Sequence, residues 1–155
     1  MSPVKSIPDD YPRVTSYLAI DGASAAIAFY GHVFGMRERM RIDRPDGKVS
    51  HAELELGDSL IMLSDEVPEF DIRGPRFIGG TPVFHYVYVD DVDAVFDRAI
   101  EAGARVLRTL SDRFYGDRTG EFEDPFGHRW YVATHIEDVP AEELARRSAE
   151  ASDAA

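Results

Sequence analysis

A chain of 155 residues, 44% hydrophobic and 30% charged, has room for one domain or two small fused modules with a sizeable core. Its 17 basic residues against 29 acidic ones leave a formal charge of −12, which repels phosphate backbones, argues against nucleic acid as a partner, and steers cationic small molecules towards the surface. The absence of cysteine excludes a disulfide frame, a thiolate nucleophile and a cysteine metal site, and no apolar run approaches the roughly 18 residues of a membrane span, so a cytoplasmic protein with no membrane partner is expected.

Residues 1–12 hold three prolines and no periodicity, and read as an N-terminal arm. Residues 13–20 alternate like a strand, with Ser16, Leu18 and Ile20 on one side and Thr15, Tyr17 and Ala19 on the other. Residues 24–34 are helical: Ala25, Ile27, Ala28 and Phe34 give an apolar face and Gly35 a C-cap. A strand over 36–42 is followed by a turn at Pro45-Asp46-Gly47 and a hairpin of strands 49–56 and 59–64 about Gly57-Asp58. Residues 65–81, rich in Pro and Gly, read as a linker.

After it the pattern returns. A strand over 83–89, a helix over 92–102 ending at Gly103 and a strand over 105–110 precede the turn-rich stretch that begins at Arg113. Ile20-Asp21 and Val89-Asp90 end the first strand of each unit and lie 69 apart; Gly35 and Gly103 lie 68 apart. Each unit reads β-α-β-β-β. The expected class is therefore α+β, with modules over 13–64 and 82–135 in a single domain spanning 13–139. Residues 140–155 form a C-terminal tail helix that frays at its end.

Residues 113–135 read RFYGDRTGEFEDPFGHRWYVATH. Tyr115-Gly116-Asp117 is a loop signal, Asp124-Pro125-Phe126-Gly127 has turn chemistry, and the aromatic, β-branched run from His128 to Thr134 reads as a buried strand. The strings FYGDR and DPFGHRW, followed by ATHIEDV, resemble the C-terminal signature of the vicinal oxygen chelate superfamily, which holds the glyoxalase and bleomycin-resistance proteins, and are most similar to its PhnB-like branch. The resemblance implies that the two modules form an incomplete barrel or cup with helices on the convex faces. It also implies a homodimer and a small organic ligand in the cup.

Alternation sorts the strands into an aliphatic face for the helices and an opposite face carrying Thr15, Tyr17, His51, Glu53, Glu55, Met62, Phe84, Tyr86, Tyr88 and Tyr131. An aromatic and hydroxyl-rich face of this kind is either a wet surface or the wall of a ligand pocket. In metal-dependent relatives such as glyoxalase I, four His and Glu ligands sit at the start of the first strand and the middle of the last strand of each module. The resemblance places those positions at Thr15, Met62, Phe84 and Tyr131, again 69 apart in pairs, and none is a usual ligand for a borderline cation. No metal and no cofactor are expected.

Tyr17, His51, Glu53, Met62, Phe84, Tyr86, Tyr88, Tyr131 and Thr15 are then the expected ligand-binding residues. His51 and Glu53, two apart on one strand, are either an acid–base pair or a hydrogen-bonded polar pair lining the cup. His85 reads as structural, His128 as a surface residue beside its turn, His135 as part of a solvated charge cluster, and Asp117 and Asp124 as turn formers. Phosphate-loop, nucleophile-elbow and zincin motifs are absent. Two functions follow: a binder that sequesters a drug or metabolite, or a lyase or isomerase using His51 and Glu53 or a displaced metal.

Overall fold

Sheet register comes from the alternation of side chains, and both halves of the chain obey it. A computed structural model describes residues 2–153; of the frayed end expected over 151–155, residues 151–153 are helical, and Ala154 and Ala155, like Met1, lie outside the described residues. The chain divides into two compact units at Gly80 and Thr81.

The first unit runs β1 (Ser16–Ile20), α1 (Ala23–Phe34), β2 (Arg37–Asp43), β3 (Val49–Leu56), β4 (Ser59–Asp65) and the short helix α2 (Pro75–Ile78). Its four strands form a mixed open sheet in the order β1-β4-β3-β2, with β1 parallel to β4 and the other pairs antiparallel. Leu18, Ile20, Leu54 and Leu63 point to one face, where α1 buries Ala26, Phe29, Tyr30 and Val33 against them. Each fully buried large apolar side chain adds about 1.5–3 kcal/mol. The Asp65 carboxylate ties this core together by accepting N–H bonds from Gly22 and Ala23 at the start of α1 and from Val49 at the start of β3, at 3.1, 3.0 and 2.7 Å. Gly35 ends α1 in a left-handed turn (φ 75°), as its place in the sequence predicts.

The second unit repeats the plan: β5 (Phe84–Tyr88), α3 (Val92–Glu101), β6 (Arg105–Asp112), β7 (Asp117–Glu123), β8 (Arg129–His135) and then α4 (Ala141–Asp153). Its sheet is ordered β5-β8-β7-β6, with β5 parallel to β8. Phe96 of α3 meets Phe122 edge-on at 6.2 Å, and Trp130 and Val132 complete the buried layer. Gly120 lets α3 come this close: a Cβ there would lie 2.7 Å from the Phe96 ring. The class is thus α+β, with two four-stranded mixed sheets built from two βαβββ modules.

Two details differ from the sequence reading. The stretch 65–81 is structured: Asp65 belongs to β4, Pro68–Phe70 make a 3-10 turn, and α2 follows. His128 is buried at 8% exposure, because Asp124 Oδ1 accepts the N–H groups of Phe126 and His128 and Oδ2 accepts Trp130 Nε1, folding the DPFG turn onto the core. Among the described residues no helix is long and apolar enough to cross a membrane.

Candidate functional site

Each sheet has one face covered by its helix and one open face, and the open faces carry the chemistry. In the first sheet, Tyr17 is opposite Met62 and Met62 is opposite Glu53, so these three side chains share one row. His51 lies two residues before Glu53 on β3 and projects the same way. Thr15 stands immediately before β1, one alternation from Tyr17.

Tyr17, His51 and Glu53 form a continuous hydrogen-bonded chain. Tyr17 Oη lies 2.9 Å from His51 Nδ1, and His51 Nε2 lies 2.9 Å from Glu53 Oε2. Tyr11 Oη donates to Glu53 Oε1 at 2.9 Å. A carboxylate only accepts, so a neutral His51 donates from Nε2 to Glu53, and its Nδ1 then accepts the Tyr17 hydroxyl. Glu53 is only 3% exposed. Burial by itself pushes its carboxyl up, but the hydrogen bonds from His51 and Tyr11 and the charge of Arg39 outweigh burial and hold it below the usual glutamate value. Tyr11 is fixed in turn by the Arg39 guanidinium, 4.5 Å over its ring, while Arg39 Nη2 donates to Asp10 Oδ2 at 2.7 Å.

The second sheet presents a different surface. Tyr86 and Tyr131, opposite each other on β5 and β8, stack at 5.3 Å with ring planes 15° apart. Phe84 lies 6.1 Å from Tyr131, and Tyr88 lies 5.3 Å from Tyr86. Phe84, Tyr86 and Tyr88 remain 49%, 43% and 60% exposed, so a broad aromatic wall faces outward. It is pinned from beneath by Asp117, 3% exposed, whose Oδ2 accepts Tyr86 Oη at 2.6 Å and Tyr88 Oη at 2.8 Å. Asp117 Oδ1 is 2.8 Å from His135 Nδ1, and His135 Nε2 is 2.7 Å from Asp138 Oδ1. Burial opposes ionisation of Asp117, yet the bonds from Tyr86, His135 and Tyr88 keep its carboxyl below the ordinary range. The hydrogen bond to Asp117, reinforced by the one to Asp138, raises His135. Burial first, then the bond to Asp117, drives the Tyr86 phenol far up.

Register exposes an internal correspondence that composition does not. Glu121 stands opposite Tyr131 as Glu53 stands opposite Met62, and 121 − 53 = 68. Both carboxylates are buried, but Glu121 is neutralised by two guanidiniums: Arg129 Nε at 2.9 Å, with its Nη2 also bonded, and Arg108 Nε at 3.2 Å. Where the first sheet has His51, the second has Thr119.

Glu121, Tyr11 and Arg39 were not singled out by sequence, and Asp117 was read there as a turn former. Asp117 is in β7 rather than a turn, directly opposite His135; the period-two count back from Thr119 and Glu121 is the signal that finds it. His85 packs on Trp130 at 4.7 Å, and burial, with His128 nearby, lowers it, as befits a structural histidine. Arg118 pairs with Asp93 and Asp112. Among the described residues no group of three or more His, Cys, Asp or Glu side chains is gathered as a metal ion would require.

A sequence model of the Glyoxalase/Bleomycin resistance protein/Dioxygenase superfamily matches residues 13–132. The uncharacterized protein Mb0911c of Mycobacterium bovis is 40% identical over 136 residues, covering 86% of this chain and 90% of its own. The crystal structure of TioX from Micromonospora sp. ML1 is similar with a TM-score of 0.63 at 28% identity, over 81% of this chain and 100% of that one. A PhnB protein from Bacillus cereus shares the fold with a TM-score of 0.63 at 20% identity, over 79% of this chain and 99% of that one.

Proposed function

Because the chain belongs to the glyoxalase/bleomycin resistance protein/dioxygenase superfamily, we propose that it is a member without the family's metal centre that binds and sequesters a small organic molecule, a drug or metabolite. One observation carries this reading. The positions that the family resemblance equates with metal ligands hold a hydroxyl, a thioether, a phenyl ring and a phenol, at Thr15, Met62, Phe84 and Tyr131. Two of them, Phe84 and Tyr131, pack into the aromatic wall, and a wall of stacked rings suits a flat ligand rather than an ion. The charge of −12 and the carboxylate of Asp117 behind the rings favour a cationic aromatic ligand. On the first sheet, taken by itself, Tyr17, His51 and Met62 line a separate, more polar face with Glu53 buried behind them. A homodimer is part of the proposal, and sedimentation velocity tests it: a monomer mass at micromolar concentration removes that part.

A thermal-shift panel of cationic, neutral and anionic aromatic compounds tests the binding. Stabilisation by one class, weakened by Tyr131→Ala and Phe84→Ala, supports the reading, and a flat response across the panel contradicts it.

The chain from Tyr17 through His51 to Glu53 favours a second reading, a lyase or isomerase using His51 and Glu53 in acid–base work. On this reading His51→Ala or Glu53→Ala abolishes turnover; on the first reading either change only shifts affinity.

A further inference from the structure

The two buried glutamates at matching register are closed in opposite ways, and the difference points outward to Tyr17. Glu121 is held by two guanidiniums, one from each flanking strand, and no imidazole bonds to it. Glu53 instead contacts an imidazole, which contacts a phenol that is 49% exposed. The order from solvent inward is phenol, imidazole, buried carboxylate. The second sheet breaks this order, because Tyr86, one module on from Tyr17, gives its hydroxyl directly to Asp117 and its phenol is driven up.

We propose that Tyr17 is a proton-transfer residue, activated through His51 and oriented by Glu53, acting on the phenolic or enolic hydroxyl of a small organic substrate. This rests on the acid–base reading above and adds the residue that touches substrate and the class of acid it meets. With its hydrogen given inward to His51 Nδ1, the Tyr17 oxygen turns its lone pairs outward and accepts the substrate O–H. As the substrate proton moves to Tyr17 Oη, the Tyr17 proton moves to His51 Nδ1. The imidazolium so formed is stabilised by the Glu53 carboxylate, which does not itself take the proton. The products are a substrate oxyanion and an imidazolium, and the reverse step returns both protons. A phenolic or enolic hydroxyl is the kind of acidic O–H such a relay can deprotonate, because the charge left on its oxygen is delocalised. His51 and Glu53 are positioning residues here. Tyr11, with Arg39 stacked over it, closes the far side of Glu53 so that water does not compete for the carboxylate.

Activation of Tyr17 is measurable without its natural substrate. The probe is 4-(2-aminoethyl)benzenesulfonyl fluoride: the Tyr17 oxygen attacks sulfur, an O–S bond forms, the S–F bond breaks, fluoride leaves with the bonding pair, and the phenolic proton goes to His51 Nδ1. Intact mass and peptide mapping over time give the rate at each tyrosine. Tyr88, 60% exposed but bonded to Asp117, is the internal control.

The expected result is labelling at Tyr17 roughly tenfold or more faster than at Tyr88, falling to the Tyr88 rate in His51→Phe and to an intermediate rate in Glu53→Gln. Tyr17→Phe loses the adduct from its peptide with its melting temperature kept. Labelling at Tyr17 no faster than at Tyr88, or unchanged in His51→Phe, overturns the proposal. Labelling reads Tyr17 alone, whereas turnover in His51→Ala reads the acid–base assignment, so failure of one is distinguishable from failure of the other.

Discussion

Replacing Asp117 by Asn changes one atom in the support of the aromatic wall, and the structure gives the scale of the effect. The carboxylate accepts three side-chain bonds, from Tyr86, Tyr88 and His135, while 3% exposed. A hydrogen bond to a charged group contributes about 1.5–3 kcal/mol net. An asparagine keeps one acceptor oxygen and brings an amide that has no acceptor among these three partners in their present orientation. The two phenols are 43% and 60% exposed and regain water when released, which offsets part of the loss. The expected destabilisation is therefore about 2–4 kcal/mol, near the loss of one and a half charged bonds. For a chain of this size that lowers the melting temperature by about 4–16 °C. A second readout is specific to the phenols: with the anion gone, absorbance titration at alkaline pH moves Tyr86 and Tyr88 ionisation to lower pH, since Asp117 raises both. A variant that melts within about 1 °C of the parent and titrates identically refutes the claim that Asp117 pins the wall.

Further outcomes follow from other contacts. Gly120→Ala drives a Cβ to 2.7 Å from the Phe96 ring, an overpacking that costs about 1–3 kcal/mol and is read by urea unfolding, with Phe96→Leu in the same chain restoring part of the loss. His135 is raised by Asp117 and Asp138, so its stabilising share is fully present below its unfolded value near 6.5 and disappears as pH climbs through the raised folded value; His135→Gln flattens the urea midpoint over that alkaline-going window. Glu53 is depressed, so its contribution is present above the unfolded glutamate value and is lost as pH falls through the lower folded value; Glu53→Gln removes that acid limb while leaving the one at His135.

Much of the architecture was legible because strand side chains alternate and the modules repeat. Counting by two from Tyr17 or Phe84 sorts each face correctly, and the offset of 69 pairs Met62 with Tyr131, each opposite the first strand of its own sheet. What escaped was long in sequence separation or disguised by local chemistry. Tyr11 reaches Glu53 across 42 residues from an arm with no periodicity, so no local pattern announces it. Asp117 follows Tyr115-Gly116, and Gly116 has φ 98°, which is turn chemistry; the strand that begins there is set by pairing with His135, a nonlocal choice. Glu121 in GEFE carries no local mark of burial, because two arginines from other strands are needed to make a buried carboxylate tolerable. His128 looked exposed for a similar reason: bonds accepted by the Asp124 carboxylate, one of them from Trp130 on the next strand, help fold its turn inward.

The central claim is that an organic ligand is held by aromatic and polar side chains with no ion between them. The direct measurement is calorimetric titration of the strongest panel compound into protein purified without chelators and again after exhaustive chelation. An unchanged dissociation constant, with no stoichiometric divalent metal in the starting protein, is the predicted result. Loss of binding on chelation, restored by one equivalent of a divalent cation, contradicts the account.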